Sequence, residues 1–179
     1  MSLPVLRRRD GRVELRFSPE VVALLRSVFT EVVDLLGPPP EEVSTDPLAA
    51  ALGIGVVTAP PEDPALQRLL PDAYADDPEA ASDFRRFTEL GLRERKRTNA
   101  ATALATLADG KHPVVLELPQ VHAWLGALND ARLALGVRLD IDEEWEDRLA
   151  GASEQERYQL EVYDFLTFLQ ETMVRLISR

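Results

Sequence analysis

Leu118 to Ile141 reads LPQVHAWLGALNDARLALGVRLDI, and this stretch decides the fold. Pro119 suits the first position of a helix, where a missing N–H costs nothing. Trp124, Leu128, Ala131 and Leu135 recur at helical spacing, and Leu125 widens their stripe. Gly136 is expected to stop the helix in the left-handed conformation. Three polar residues, Asn129, Asp130 and Arg132, interrupt the apolar run. Neither Asp130 nor Arg132 has an opposite charge three or four residues away, so no local ion pair accounts for them. Buried charge needs a partner, so they are expected to find one elsewhere in the fold.

The flanking sequence supplies the elements that would pack around this helix. Val13, Leu15 and Phe17 alternate with Glu14 and Arg16 after Asp10-Gly11, the pattern of a half-buried strand behind a two-residue turn. Arg7, Arg8 and Arg9 make the first arm of that hairpin basic, as a charged edge strand or as an arm for nucleic acid. Ser18-Pro19 opens a helix that Gly37 and three prolines end. Residues 38–64 are rich in proline and acid and read as a connection, with a short helix after Asp46-Pro47 and an extended piece at Gly53–Val57. Asp63-Pro64 starts a short helix. Asp77-Pro78 starts the longest one, which runs to about Asp109-Gly110 with Gly91 as a possible bend. Phe84, Phe87, Leu90 and Leu92 are expected to supply its apolar contacts. Asp142 can cap a short helix, and Ser153 with Glu156 forms a capping box for the last helix. The expected fold is mainly α: a helical bundle with a small N-terminal β-hairpin. One helical domain spans 1–179, with the hairpin at 1–17 and the connection at 38–64.

Composition bounds the function. A chain of 179 residues can build its own core. Its net charge of −11 repels nucleic acid and anionic membrane. It has no cysteine, which excludes thiol catalysis, thiolate metal sites and disulfides within it. No apolar h-region or spanning segment is evident, so the cytoplasm is the expected location. The two histidines, His112 and His122, have no metal spacing, and Gly53-Ile54-Gly55 lacks the third glycine of a dinucleotide fingerprint. Asp140, Asp142 and Glu144 start like a calcium loop, but Trp145 stands where that loop needs glycine. No cofactor or metal and no catalytic residue is expected.

The charged feature that remains is the run Arg85, Arg86, Arg93, Arg95, Lys96 and Arg97. Arg86, Arg93 and Arg97 share a helix face and are candidates for binding a protein partner. Glu89, three after Arg86 and four before Arg93, can pair with either. Asp72, Asp76, Asp77, Glu79 and Asp83 make the preceding segment acidic. They could meet a basic partner or these arginines. Asp83, Arg85, Arg86, Glu89, Asn129, Asp130 and Arg132 are the candidates for an interior polar network joining the long helix to the central one.

Three segments carry a family resemblance: DPALQRLLPDAYADDPEAASDFRRFTELGLRERK (63–96), HAWLGALNDARLALGVRLDI (122–141) and YDFLTFLQETMVRLI (163–177). Their PDAYADD, FRRFTE and ALNDARLALG strings resemble an actinobacterial family first recorded as a domain of unknown function, which includes oxidative-stress regulators of the AosR type. The resemblance implies a non-enzymatic regulator that associates with a sigma factor, switched in relatives by an N-terminal disulfide. This chain departs there, because residues 1–17 contain no cysteine. The competing readings are a small-ligand binder or enzyme using a pocket around Asn129, Asp130 and Arg132, direct DNA binding through Arg7–Arg9 or Arg85–Arg97, and a homodimer through the last helix.

Overall fold

A computed structural model describes residues 5–7, 10–38, 48, 59–74, 76–108, 113–142, 145 and 151–178. In chain order the elements are β1 (Val5–Arg7), β2 (Val13–Leu15), α1 (Pro19–Leu36), α2 (Pro64–Leu69), α3 (Pro78–Ala108), β3 (Val114–Leu116), α4 (Leu118–Arg138) and α5 (Glu154–Ile177). The fold is mainly α, with a small antiparallel sheet near the N-terminus. The expected elements at 46–57, the helix after Asp142, His112, Arg8 and Arg9 lie outside the described residues.

α4 is the central helix, and α1, α2, α3, α5 and β3 all pack against it. It is buried nearly all round, at Val121, Ala123, Trp124, Ala127, Leu128, Asp130, Ala131 and Ala134. Trp124 is wholly buried between Phe29, edge-on at 5.3 Å, and Phe17, stacked at 6.3 Å. Its indole N–H donates to Thr106 Oγ1 at 2.9 Å, so the polar end of this large ring is satisfied inside the core.

Local chemistry sets most boundaries. The Val21 N–H donates to Ser18 Oγ at the start of α1, and Gly37, at φ 64°, ends it. In α5 the Ser153 N–H donates to Glu156 and the Glu156 N–H to Ser153 Oγ, a reciprocal capping box.

Three boundaries differ from expectation. α4 runs through Gly136, which is not left-handed; Asp140, at φ 50°, takes that role. The Ile141 N–H donates to the Gly136 carbonyl and the Asp140 N–H to that of Val137, a Schellman closure. Space does not require glycine at 136 either, since a Cβ there would meet Tyr163 of α5 at 3.5 Å, an ordinary van der Waals contact. α3 passes through Gly91 as one unbroken helix, because its flanks are held on both sides of the glycine by tertiary contacts. Among the described residues the hairpin pairs Arg7 with Val13, a register centred on Asp10 rather than between Asp10 and Gly11 as a two-residue turn there would need. There Gly11 supplies φ 82°, and Arg12 Nε donates to Asp10 at 2.9 Å.

The sheet also gains a third strand. β3 pairs with β2 in the register Val13↔Leu116 and Leu15↔Val114, which makes β2 central. With both edges covered, Glu14 is buried along with Val13 and Leu15, and Arg16 Nε binds its carboxylate at 2.7 Å. The expected outward alternation therefore fails at Glu14.

Candidate functional site

The inward stripe of α3 runs through Ala81, Arg85, Glu89, Arg93, Ala100, Ala103 and Leu107, so its middle is charged where a core helix would be apolar. Glu89 sits between two guanidiniums at four-residue steps. One carboxylate oxygen accepts from Arg85 Nη1 and the other from Arg93 Nη2 at 2.8 Å. The outer arms of this ladder reach other parts of the chain. Arg85 Nη2 donates to Asp72 at 2.7 Å and to the Leu70 carbonyl at 3.1 Å. Arg93 Nη1 donates to the Leu36 carbonyl. Arg97 Nη1 donates to the Gly37 carbonyl and, at 3.3 Å, to that of Val33.

These contacts answer a need that α1 cannot meet by itself. The last carbonyls of a helix lack intrahelical partners and carry partial negative charge. α1 has no basic residue in its last turn, and Arg93 and Arg97 bring the cations from α3. Burial pulls the Arg85 guanidinium pKa down, but the hydrogen bonds and charges of Asp72 and Glu89 outweigh it, leaving it above its ordinary value. Among the described residues, Arg85 Nε and Arg93 Nε find no acceptor.

The structure divides the sequence candidates. Arg86, Arg93 and Arg97 do not form one free basic face. Arg86 is exposed, with Asp83 at 3.9 Å, whereas Arg93 is buried and Arg97 partly so, both bound to the end of α1. Glu89 pairs with Arg93 and with Arg85, not with Arg86, because Arg86 lies a further 100° round the helix and points outward.

The seven residues proposed as one network fall into separate groups. Asp130, 2 % exposed, meets α3 through Lys96 at 2.5 Å; Asn129 precedes it on α4. Arg132 turns the other way, to Thr167 Oγ1 at 2.9 Å and Gln170 Oε1 at 2.8 Å on α5, with its guanidinium 5.5 Å from the centre of the Tyr163 ring. Burial pushes the Asp130 carboxyl pKa up, and Lys96 offsets this only in part.

A cavity of about 210 Å³ does open beside α4, between α1 and α5. It is apolar in the middle, at Val28, Val32, Ala131, Ala134 and Val162, with Arg138 on the rim. None of Asn129, Asp130 and Arg132 lines it. His122 is exposed on α4, about 12 Å along the helix from Asp130, so the two do not make an acid–base pair. Among the described residues no group of three His, Asp or Glu could hold a metal ion, and no helix is long and apolar enough to cross a membrane.

The outer side of the same α3 segment carries exposed rings. Tyr74 is 50 % exposed, Phe84 44 % and Phe87 62 %, which corrects the expectation that both phenylalanines pack inward. The Tyr74 and Phe84 rings meet edge to face with centroids 6.0 Å apart. Contiguous exposed aromatics of this kind mark contact surfaces more often than single exposed residues do.

The model of the DUF2017 family, described as a domain of unknown function, matches residues 4–177. The chain belongs to the DUF2017 family. It is 34 % identical over 184 aligned positions to a protein named oxidative stress regulator AosR in Mycobacterium bovis, covering 94 % of this chain and 84 % of the relative. The relative of the same name in Mycobacterium tuberculosis H37Rv has the same identity and coverage. No solved structure matches this chain.

In this DUF2017 chain, sequence reading missed Lys96 as the partner of Asp130. The signal was present in the four-residue steps 81, 85, 89 and 93, which continue inward to 96 and 97 straight through charged residues. The exposure of Phe84 and Phe87 had no such signal, because a phenylalanine reads the same on either side of a helix.

Proposed function

We propose that this chain is a cytoplasmic regulatory protein that acts without catalysis, by binding a sigma factor or another component of the transcription machinery. The observation that carries the reading is the relationship, over nearly the whole chain, to proteins named oxidative stress regulators. The exposed rings of Tyr74, Phe84 and Phe87 support binding to protein, and the net charge of −11 disfavours DNA as the direct partner. With no cysteine in the chain, its association is not switched by its own thiols.

The test is retention from the native lysate on the immobilised chain, read by mass spectrometry. A sigma factor or an RNA polymerase subunit is the expected catch, and retention of neither overturns the proposal. A small apolar ligand in the cavity between α1, α4 and α5 is the second reading, favoured by its apolar floor. Amide shift changes at Val28, Ala131 and Val162 on adding short-chain carboxylates would support it.

A further inference from the structure

The face of α3 opposite the buried arginines has a definite layout. Ala80, Phe84, Phe87 and Gly91 follow one another along one outward ridge. Glu79, Asp83 and Phe87 form the neighbouring ridge at four-residue steps, so carboxylates and a ring lie side by side. Tyr74 joins them from the segment before the helix. It is placed there because Arg85 holds the Leu70 carbonyl and the Asp72 carboxylate from inside α3. The surface is therefore formed before any partner arrives, which lowers the entropy cost of binding. Gly91 continues the ring stripe as a bare notch: a Cβ built there meets nothing within 4 Å.

The charge around the rings is mainly negative. Asp76, Asp77, Glu79 and Asp83 are all exposed there, and Arg86 is the exposed cation among them. Among the described residues, Asp83 pairs with that arginine alone, at 3.9 Å. Arg85 does not offset the acids, because it is turned inward and committed to Asp72 and Glu89. Apolar rings rimmed by carboxylates are complementary to a segment that alternates apolar and basic side chains. A second copy of this chain would bring the same acidic rim and a net charge of −11 of its own, and a nucleic acid would bring phosphates.

We infer that the Tyr74, Phe84 and Phe87 surface docks a basic amphipathic segment of a protein partner. The segment's apolar side chains lie on the rings and toward Gly91, and its lysines or arginines lie among Asp76, Asp77, Glu79 and Asp83. This rests on the reading of the chain as a protein-binding regulator and adds the place and the chemistry.

The test has two arms. In the first, wild type, Phe84→Ala/Phe87→Ala, Gly91→Trp, Asp77→Asn/Glu79→Gln/Asp83→Asn and Phe168→Ala are compared for retention of the captured transcription component. Phe168 is an equally exposed ring, on α5, and serves as the control. In the second, a helical peptide with leucines at i, i+3, i+4 and i+7 and lysines elsewhere is titrated into the labelled chain, with a leucine–glutamate peptide alongside. Expected results are a loss of about tenfold or more in affinity for the ring and glycine variants, a weaker salt dependence for the acid variant, and no change for Phe168→Ala. Amide shifts should centre on Tyr74, Phe84 and Phe87 with the basic peptide only.

A component retained equally by all variants overturns the surface and leaves the regulatory reading standing. Failure to retain any component, with the basic peptide still titrating onto these rings, overturns that reading and upholds the surface. Absence of both, or a second copy seated on the rings, overturns the surface.

Discussion

Arg85 Nη2 donates to Asp72 Oδ1 at 2.7 Å from a position only 5 % exposed, and the same nitrogen holds the Leu70 carbonyl. A buried cation on α3 thereby decides where the chain after α2 runs, and so where Tyr74 stands on the surface. Arg85 opens the basic run of α3, yet it works from inside the fold.

Arg85→Met should therefore destabilise strongly, by about 3–5 kcal/mol, since it removes one partner from a buried charged cluster. Arg86→Ala, one position on and exposed, should stay within about 0.5 kcal/mol of wild type. Urea unfolding of the two variants makes the comparison, and equal effects would mean that the cluster does not hold the fold. A triple change, Arg85→Met/Glu89→Leu/Arg93→Met, should cost less than Glu89→Leu alone. The single change leaves two guanidiniums facing each other in the interior, and the triple leaves none.

Arg97 acts as a cap supplied from another helix. Arg97→Met should weaken the end of α1 by about 1.5–3 kcal/mol, the range for a hydrogen bond to a charged group. Native-state hydrogen exchange reads this at the Leu36 and Gly37 amides. Faster exchange confined to that turn is the expected result, and unchanged protection there would remove Arg97 from the role.

Asp130 gives a pH dependence whose sign can be worked out. Its folded pKa lies above the unfolded value of 3.8, because burial penalises the carboxylate more than Lys96 rewards it. The folded state then binds the proton more tightly than the unfolded one. Stability from this group is complete below the unfolded pKa and is lost as pH rises through the folded one. Asp130→Asn does not titrate. Its stability relative to wild type should be more favourable at about pH 7 than at about pH 3.5. A difference that stays flat across that window would contradict the assignment.

Thr106 is the acceptor for a wholly buried Trp124. Thr106→Val keeps the shape and strands the indole N–H, which should cost about 1–3 kcal/mol. Thr106→Ser should restore most of it. The Trp124 indole proton in a nitrogen-correlated spectrum gives an independent reading, and a resonance unmoved in Thr106→Val would rule out the bond.

The helices were legible because their ends carry local chemistry. Ser18-Pro19, Gly37, Asp63-Pro64, Asp77-Pro78 and the Ser153–Glu156 box act within one turn of chain, so neighbouring residue types suffice to place them. The family, too, was carried by local strings. Short-range spacing also showed that Asp130 and Arg132 needed partners that their own helix lacks.

Identifying those partners required the fold. Lys96 reaches Asp130, while Arg132 turns to Thr167 and Gln170, because α4 lies between α3 and α5 and opposite sides of one helix meet different neighbours. The pairing of β2 with β3 joins strands almost a hundred residues apart, and it buried a glutamate that alternation placed outside. Local spacing gives the face a residue occupies on its own helix or strand. Only the packing of elements decides whether that face meets water or another part of the chain, and for the arginines of α3 that difference separates the buried Arg85 and Arg93 from the exposed Arg86.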